Sequence, residues 1–503
     1  MPESTDLQAR AQDALDQMTV LRREVAADGC ALFRAWRPRI KRTAFAPSAL
    51  NFAHYLALRD HDLRPLQRKL MALGISSLGR LESRVLVSLD TTIVALAALA
   101  GAPSAIRTPG ERRFFRGEGR LAARAAEILG PPHHGRAGRI MVTLSTEAAD
   151  DPALVRDLAE KGADAVRINC AHDGPEVWER MVRHVRAAER HHGRPLRVLM
   201  DIAGPKVRTG RVLTPPDRSR LHIGDVLLLA RNIVPEFAEV PFQVTCTLPS
   251  VLDRIKVGDE VSLDDGQLKG PIIGEAHGGF LIRIEVGKLA GLKLRPEKGL
   301  NFPTADLGLD PLTDKDRDDL GFVVGHADLI GYSFVETAEH VAALQGEMAR
   351  LSPNWRQIAV VGKVETPRAI RNLPEIIVQA AGKQPFAVMI ARGDLAVEMG
   401  FERVAEMQEE ILWLCEAAHV PVIWATQVLE GLVKNGLPSR GEMTDAAMAA
   451  RAECVLLNKG PNVAAAVGAL DRLFRRMDEH QMKKTPTLRA LHSWPRHRPA
   501  KAP

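Results

Sequence analysis

Gln357-Ile-Ala-Val-Val-Gly-Lys-Val-Glu365, Ala387-Val-Met-Ile-Ala-Arg-Gly-Asp394 and Pro421-Val-Ile-Trp-Ala-Thr-Gln427 share one design. Each is a short apolar run that closes on polar or charged residues and is followed by a stretch with helical spacing. A run that is apolar through its length, instead of alternating, reads as a parallel strand covered on both faces by helices. Working outward, the same unit recurs upstream at Arg139–Leu144, Asp164–Asn169, Leu196–Ile202 and Ala327–Phe334, and downstream at Cys454–Asn458. Eight such units predict an α/β fold of the TIM (β/α)8 barrel type.

One interval breaks the rhythm. Between Gly210 and Phe302 the chain is rich in Gly, Pro and Val, with short runs at Val226–Leu229, Val261–Leu263 and Phe280–Val286 and a turn signal at Asp264-Asp265-Gly266. This predicts a β-rich, barrel-like lid domain at 210–302, inserted after strand three and standing over the mouth at the C-terminal strand ends. The barrel itself then occupies 136–209 and 303–481. Residues 1–135 read as an N-terminal helical region, with helical spacing over Leu7–Arg23, Asn51–Leu73 and Leu81–Leu99, and end in a linker with His133 and His134, which reads as a solvated loop and not a metal site. Residues 482–503 form a basic tail for which disorder is expected.

Composition limits the function classes. The chain has 503 residues, which at roughly 150 per domain suggests about three domains. With 46% hydrophobic and 26% charged residues it is an ordinary globular composition, and at 4% aromatic it is poorly equipped to stack on bases. Residues 1–138 hold 21 basic and 13 acidic residues, so this part alone carries more than the whole chain's net charge of +6. A solvated basic face is the ordinary reading, and nucleic acid is not expected as a partner. Five scattered cysteines with no CxxC pair argue for a reducing, cytoplasmic setting. Apolar stretches such as Thr91–Gly101 read as too short to span a bilayer, so no membrane is expected.

In a barrel the chemistry sits at the C-terminal strand ends. Strand two ends Arg167-Ile168-Asn169, strand three runs through Asp201 toward Arg208, strand four ends Ser333-Phe334, strand five Lys363-Val364-Glu365, strand six Arg392-Gly393-Asp394 and strand seven Thr426-Gln427. Side chains two apart on a strand share a face, so Lys363 points with Glu365 and Arg167 with Asn169. Such cations can hold a phosphate and stabilise a phosphoryl group in transfer. Glu365 and Asp394, on neighbouring strands, can hold one Mg²⁺ with positions left for substrate oxygens.

These residues, taken with their neighbours, resemble the pyruvate kinase family over about Arg139 to Leu473. The matching segments are Val166-Arg-Ile-Asn-Cys-Ala-His172, Met200-Asp-Ile-Ala-Gly-Pro-Lys-Val-Arg-Thr-Gly210, Lys298-Gly-Leu-Asn-Phe-Pro303, Tyr332-Ser-Phe-Val335, Val361-Gly-Lys-Val-Glu365, Ala391-Arg-Gly-Asp-Leu395, Ala425-Thr-Gln427 and Pro438-Ser-Arg-Gly-Glu-Met-Thr-Asp445. The resemblance implies phosphoryl transfer from phosphoenolpyruvate to ADP, giving pyruvate and ATP. It implies that Lys363 bridges the phosphoryl group, that Arg167 and Arg208 bind phosphate and that Glu365 and Asp394 hold Mg²⁺, with Mn²⁺ as an alternative. It further implies that amides around Gly393 cradle the substrate carboxylate and that Thr426 delivers a proton to the enolpyruvate. Arg392–Gly400 resembles a segment near a barrel-to-barrel interface, which implies a homodimer or homotetramer.

The departures from the family pattern carry their own expectations. Asn169 and Asp201 match its potassium region, but Ala171 and Ile202 replace two hydroxyl ligands, and Lys206 stands where a glutamate is usual. This resembles members that need no K⁺, in which the ammonium takes its place. Strand one lacks the family's Ile-Gly-Pro, Ala203 stands where a lysine is common, and strand eight gives Leu457-Asn-Lys-Gly-Pro461, all of which bear on nucleotide contacts. After strand eight, no counterpart of the family's C-terminal regulatory domain is expected. Two other readings fit part of the pattern: a Mg²⁺-dependent lyase or aldolase acting through a pyruvate enolate, and a non-catalytic sensor of phosphoenolpyruvate.

Overall fold

The computed structural model describes residues 2–237 and 239–486. Its centre is a closed barrel of eight parallel strands: β1 Arg139–Thr143, β2 Ala165–Asn169, β3 Arg197–Ile202, β4 Leu329–Tyr332, β5 Ala359–Val364, β6 Phe386–Ala391, β7 Val422–Ala425 and β8 Cys454–Leu457. Every pairing is parallel, and β1 closes on β8 with Arg139 opposite Cys454. All eight strands expected from the apolar runs are present, with ends shifted by a few residues.

The period-2 geometry of a strand puts apolar side chains inward along most of the barrel and polar ones inward at its C-terminal end. Inward positions Met141, Ala165, Leu199, Leu329, Ala359, Val361, Ala387, Met389, Ile423, Cys454 and Leu456 form one buried apolar cluster. The next inward positions toward the C-terminal ends are Thr143, Arg167, Asp201, Ser333 and Lys363. Apolar layers thus give way to a polar layer in phase with them. Gly331 in β4 is required here, because a Cβ would lie 2.6 Å from Asp201 Oδ1 and 3.1 Å from its Cα.

The floor of the barrel is supplied by the N-terminal region. Ile128 and Leu129, at the end of the helix Arg116–Leu129, belong to the same cluster as the inward strand residues. This region holds more helix than the sequence spacing suggested. Pro2–Trp36 is one helix, which buries Ala11, Ala14, Met18, Leu21 and Val25 and stops before Pro38. The pattern over Asn51–Leu73 is split into Ala46–Arg59 and Arg64–Ala72, since Pro65 fits the first turn of a helix and not its interior. Leu81–Leu99 becomes a continuous run over Glu82–Ala100, long and apolar enough by length and composition to cross a bilayer, contrary to the expectation from Thr91–Gly101. Here Leu89, Ile93 and Leu96 of that run are buried in a shared core with the first two helices. Those two approach closely at Gly29, where a Cβ would sit 2.8 Å from His54 Cα.

The helical region is bolted to the outside of the barrel. Trp36 Nε1 donates to Glu375 Oε1 at 2.8 Å, Asn51 Nδ2 to the Ala417 carbonyl at 2.8 Å, and the Lys41 and Arg42 amides both to the Gly382 carbonyl at 2.7 Å. Arg136, wholly buried, binds Asp164 at 2.7 Å and Asp471 at 2.9 Å, so it joins the linker to the β1–β2 connection and to the last helix, Val463–Asp478.

The insertion is an all-β body, with strands from Thr209–Leu213 to Leu300–Asn301 around a core that includes Leu227, Val244, Val261, Ile272 and Ile282. Its expected turn joins Glu260–Leu263 to Leu268–Ala276, with Asp264, Asp265 and Gly266 at φ 54°, 55° and 81°. Of the basic tail, residues 482–486 are not disordered: Gln481–Met482 pairs with Thr485–Pro486, Lys483 binds Glu453 and Lys484 binds Glu82. The rest of that tail lies outside the described residues.

Candidate active site

The polar layer forms one hydrogen-bonded cluster. Arg167 donates from Nε (2.8 Å) and Nη2 (2.5 Å) to Asp201 Oδ2, and from Nη1 to Thr143 Oγ1 at 3.3 Å. Lys363 Nζ donates to Ser333 Oγ at 2.8 Å and lies 3.0 Å from Glu365 Oε1 and 3.4 Å from Asp201 Oδ2. Ser333 passes its own hydrogen to the Ile202 carbonyl at 2.8 Å. The Phe334 amide donates to Glu365 Oε2 at 2.5 Å, from a residue held at φ 54°.

The electrostatics follow from burial and pairing. Burial alone would raise the Asp201 carboxyl, but Lys363 and Arg167 outweigh it and hold it below the usual range. Burial would lower Lys363, and Asp201 and Glu365 reverse this, so it stays firmly an ammonium. Glu365 goes the other way: burial, and then the charge of Asp394, raise it despite Lys363. Glu365 and Asp394 therefore form a mutually repelling carboxylate pair, oxygen donors of the kind a hard divalent cation takes while keeping sites for substrate. That donor set fits Mg²⁺, although among the described residues no cluster of three His, Cys, Asp or Glu side chains forms.

Asp394 has a partner from across the mouth, the Lys206 ammonium at 3.2 Å. The lysine expected at the potassium region thus reaches a candidate metal ligand instead of Asn169 or Asp201. Asn169 turns its Oδ1 to the Ala171 amide at 3.2 Å. Arg208 is not drawn into the cluster; it sits at the base of the lid, pairs with Gly299, and donates to the Glu297 carbonyl at 3.0 Å.

Thr426 follows β7 in a left-handed conformation (φ 68°), as do Gln427 (56°) and Leu429 (49°). A β-branched residue there is strained, and strain of this kind gathers at working sites. The Gly393 amide, expected to be free for a carboxylate, donates to Thr426 Oγ1 at 2.8 Å. Since Thr426 accepts in that bond, its own hydrogen remains available to donate.

Ser333 and Arg392 stood among the expected strand-end residues without an assigned role, and Glu398 was not singled out. Ser333, the bridge between Lys363 and β3, is signalled only by its phase, two residues beyond Gly331. Arg392 binds Asp445 through Nη1 (2.5 Å) and Nη2 (2.9 Å) and the Thr426 carbonyl at 2.6 Å, and so holds the strained loop to the helix Arg440–Ala449. Glu398 accepts from Asn301 Nδ2 of the lid at 2.8 Å and is pushed up to about 7 by burial and by the charges of Asp394 and Glu336. With Lys269 Nζ on the Val397 carbonyl at 3.2 Å, that bond ties the lid to the helix Arg392–Met399 at the mouth.

Comparison with known proteins agrees with this arrangement. The family model for the pyruvate kinase barrel domain matches residues 135–465. The pyruvate kinase of Methylorubrum extorquens is 31% identical over 351 residues, covering 68% of this chain and 69% of that one. That of Thermotoga maritima is 30% identical over 315 residues (62% and 64%), and that of Dictyostelium discoideum 29% over 325 (64% and 61%). The chain thus spans roughly two thirds of the length of these relatives. The family match covers the barrel, the inserted lid and every strand end described above, and the chain belongs to the pyruvate kinase family.

Proposed function

We propose that the protein transfers the phosphoryl group of phosphoenolpyruvate to ADP, giving pyruvate and ATP, with Mg²⁺. The observation that carries this reading is the Lys363 ammonium, held at 2.8 Å by Ser333 and flanked by Glu365 and Asp201 in the polar layer that also contains Arg167. A buried, fixed cation at a strand end is suited to the charge of a phosphoryl group between two oxygens. Arg167 lies beside it to receive the phosphate, and Arg208 at the lid base reaches the same ligand if the lid closes. Held by Glu365 and Asp394, Mg²⁺ would supply neutralising charge at the substrate oxygens. As the P–O bond of phosphoenolpyruvate breaks and the phosphoryl group moves to ADP, the enolate takes a proton at its methylene carbon, and Thr426 has the free hydrogen for this.

Arg167, Lys206 and Lys363 face Asp201, Glu365 and Asp394, three cations to three carboxylates. That balance supports activity without K⁺. Phe401, directly after the helix at the mouth, is 80% exposed, and Leu437 is 79% exposed, which supports self-association near Arg392–Gly400. All five cysteines are unpaired, as suits a cytoplasmic enzyme.

The test is an ATP-formation assay with Mg²⁺, phosphoenolpyruvate and ADP, with a bulky organic cation replacing K⁺. The Lys363→Met variant should lose ~10²–10³ in rate, the contribution of one preorganised donor. Condensation of pyruvate with an aldehyde in the absence of nucleotide would replace this reading with a lyase. Tight binding of phosphoenolpyruvate with no turnover would replace it with a sensor.

A further inference from the structure

At the end of the barrel opposite the mouth, a cavity of about 400 Å³ lies between the strand beginnings and the N-terminal region. That is within the ~300–1,000 Å³ typical of small-molecule sites. Arg197 opens β3, Asp328 precedes β4 and Arg356 precedes β5, while Arg42 and Glu127 face them from the helical region.

The charges around it do not cancel. Glu127 is shared by Arg42 (2.5 Å) and Arg124 (2.9 Å), and Asp328 by Arg186 (2.9 Å) and Arg197 (3.2 Å). Arg356 has no carboxylate left to it: among the described residues its contact is the Trp355 ring, 4.7 Å away, and it makes no hydrogen bond or ion pair. Arg197 Nε is buried and unpartnered. Near the wall at Pro385, Lys383 is lowered by burial and then by the neighbouring charges of Arg356 and Lys41. Cations held together around a hollow raise the free energy of the empty state, and an oxyanion entering there relieves it.

We infer that this cavity is a second ligand site, which takes a phosphate monoester on a short carbon skeleton. The guanidinium fork of Arg356, with Arg197 and Arg42 nearby, matches a phosphate, and Ile128, Ile358 and Pro385 offer apolar wall to the carbon portion. The site spans two bodies. Its occupant contacts the N-terminal helices on one side and, on the other, the start of β5, whose far end carries Lys363 about 13 Å along the strand.

Calorimetric titration of the full chain with glycerol 3-phosphate, glycerol and inorganic phosphate tests the inference. Glycerol 3-phosphate should bind saturably and glycerol should not. Arg356→Ala, an exposed position whose loss should leave turnover without added ligand unchanged, should weaken binding at least tenfold, with Arg42→Ala as a second variant. Hydrogen exchange should slow at residues 41–45 and 127–130 in the wild type on adding glycerol 3-phosphate, and not in Arg356→Ala. Equal affinity for inorganic phosphate would overturn the monoester assignment. Titration unchanged in both variants, or protection confined to residues 167–169 and 363–365, would place the binding in the mouth and overturn the site itself.

Discussion

Asp445→Asn isolates the contribution of the loop clamp. Arg392 is held by both Asp445 oxygens, at 2.5 and 2.9 Å, stacks over Trp424 at 4.8 Å, and donates to the Ala425 and Thr426 carbonyls at 3.1 and 2.6 Å. The two side chains are 13% and 29% exposed, so solvent screens the pair only in part. A hydrogen bond to a charged group contributes ~1.5–3 kcal/mol and a neutral one ~0.5–1.5, so exchanging carboxylate for amide removes about 1–2 kcal/mol. The strain of Thr426 at φ 68° is of the same order, ~1–3 kcal/mol. Weakening the clamp therefore lets the loop relax, and each ~1.4 kcal/mol of that relaxation lowers the fraction of Thr426 in the reactive position about tenfold. Steady-state ATP formation should show kcat down about tenfold and KM for phosphoenolpyruvate nearly unchanged, because Arg167 and Lys363 are untouched. A kcat within twofold of wild type, in a variant that melts earlier, would show that the clamp serves stability alone. A tenfold rise in KM with kcat intact would place Asp445 in substrate binding and refute the positioning argument.

Three further outcomes are expected. Lys206→Glu leaves the pocket with four carboxylates to two cations, so its turnover should become dependent on K⁺, read as the ratio of rates with and without the ion. Arg136→Ala strips the buried Asp164 and Asp471 of their common partner and should cost about 3–5 kcal/mol in urea unfolding. His419, whose ring nitrogens lie 2.9 Å from Ser48 Oγ and from the Ser83 carbonyl, is lowered to about 4 by burial, against 6.5 when unfolded. Its stabilisation is complete above pH 6.5 and is lost as pH falls toward 4, by ~3 kcal/mol. His419→Gln should therefore make the urea midpoint fall less steeply across that window, the remainder coming from His54, also lowered to about 4 by burial.

The barrel could be read from sequence because its strands are apolar on both faces and its polar strand-end residues share one phase. That Lys363 points with Glu365, and Arg167 with Asn169, followed from period-2 counting, while their roles came from the family resemblance. The cross-barrel partners did not follow. Whether Lys206 reaches Asp394 or Asp201 depends on how the lid base folds over the mouth, and nothing local to residue 206 encodes it. The role of Arg392 needed the position of Asp445, 53 residues on, and Glu398 needed Asn301 from a different body. The N-terminal helices were visible as periodic segments, but their role as barrel floor rests on where Ile128 and Leu129 point, which only the packed structure decides.

Pairing in the mouth has a consequence for how it accepts ligands. Glu365 is bound to Lys363 and Asp394 to Lys206, so the two carboxylates that would face a divalent cation are each held by an ammonium. Unpaired, each buried charge would carry a desolvation cost of several kcal/mol. Paired, the layer is close to neutral and stable without ligand. On the proposed function, binding would be an exchange of partners at fixed positions instead of the creation of new charge in a dry space: Lys363 would leave its carboxylate for a phosphate oxygen, and the carboxylates would turn to a cation. Such an exchange is favourable only when anion and cation arrive together, since either alone strands two like charges. The same rule explains the floor of the barrel by contrast. There Arg356 has no carboxylate to exchange, and only an anion is missing.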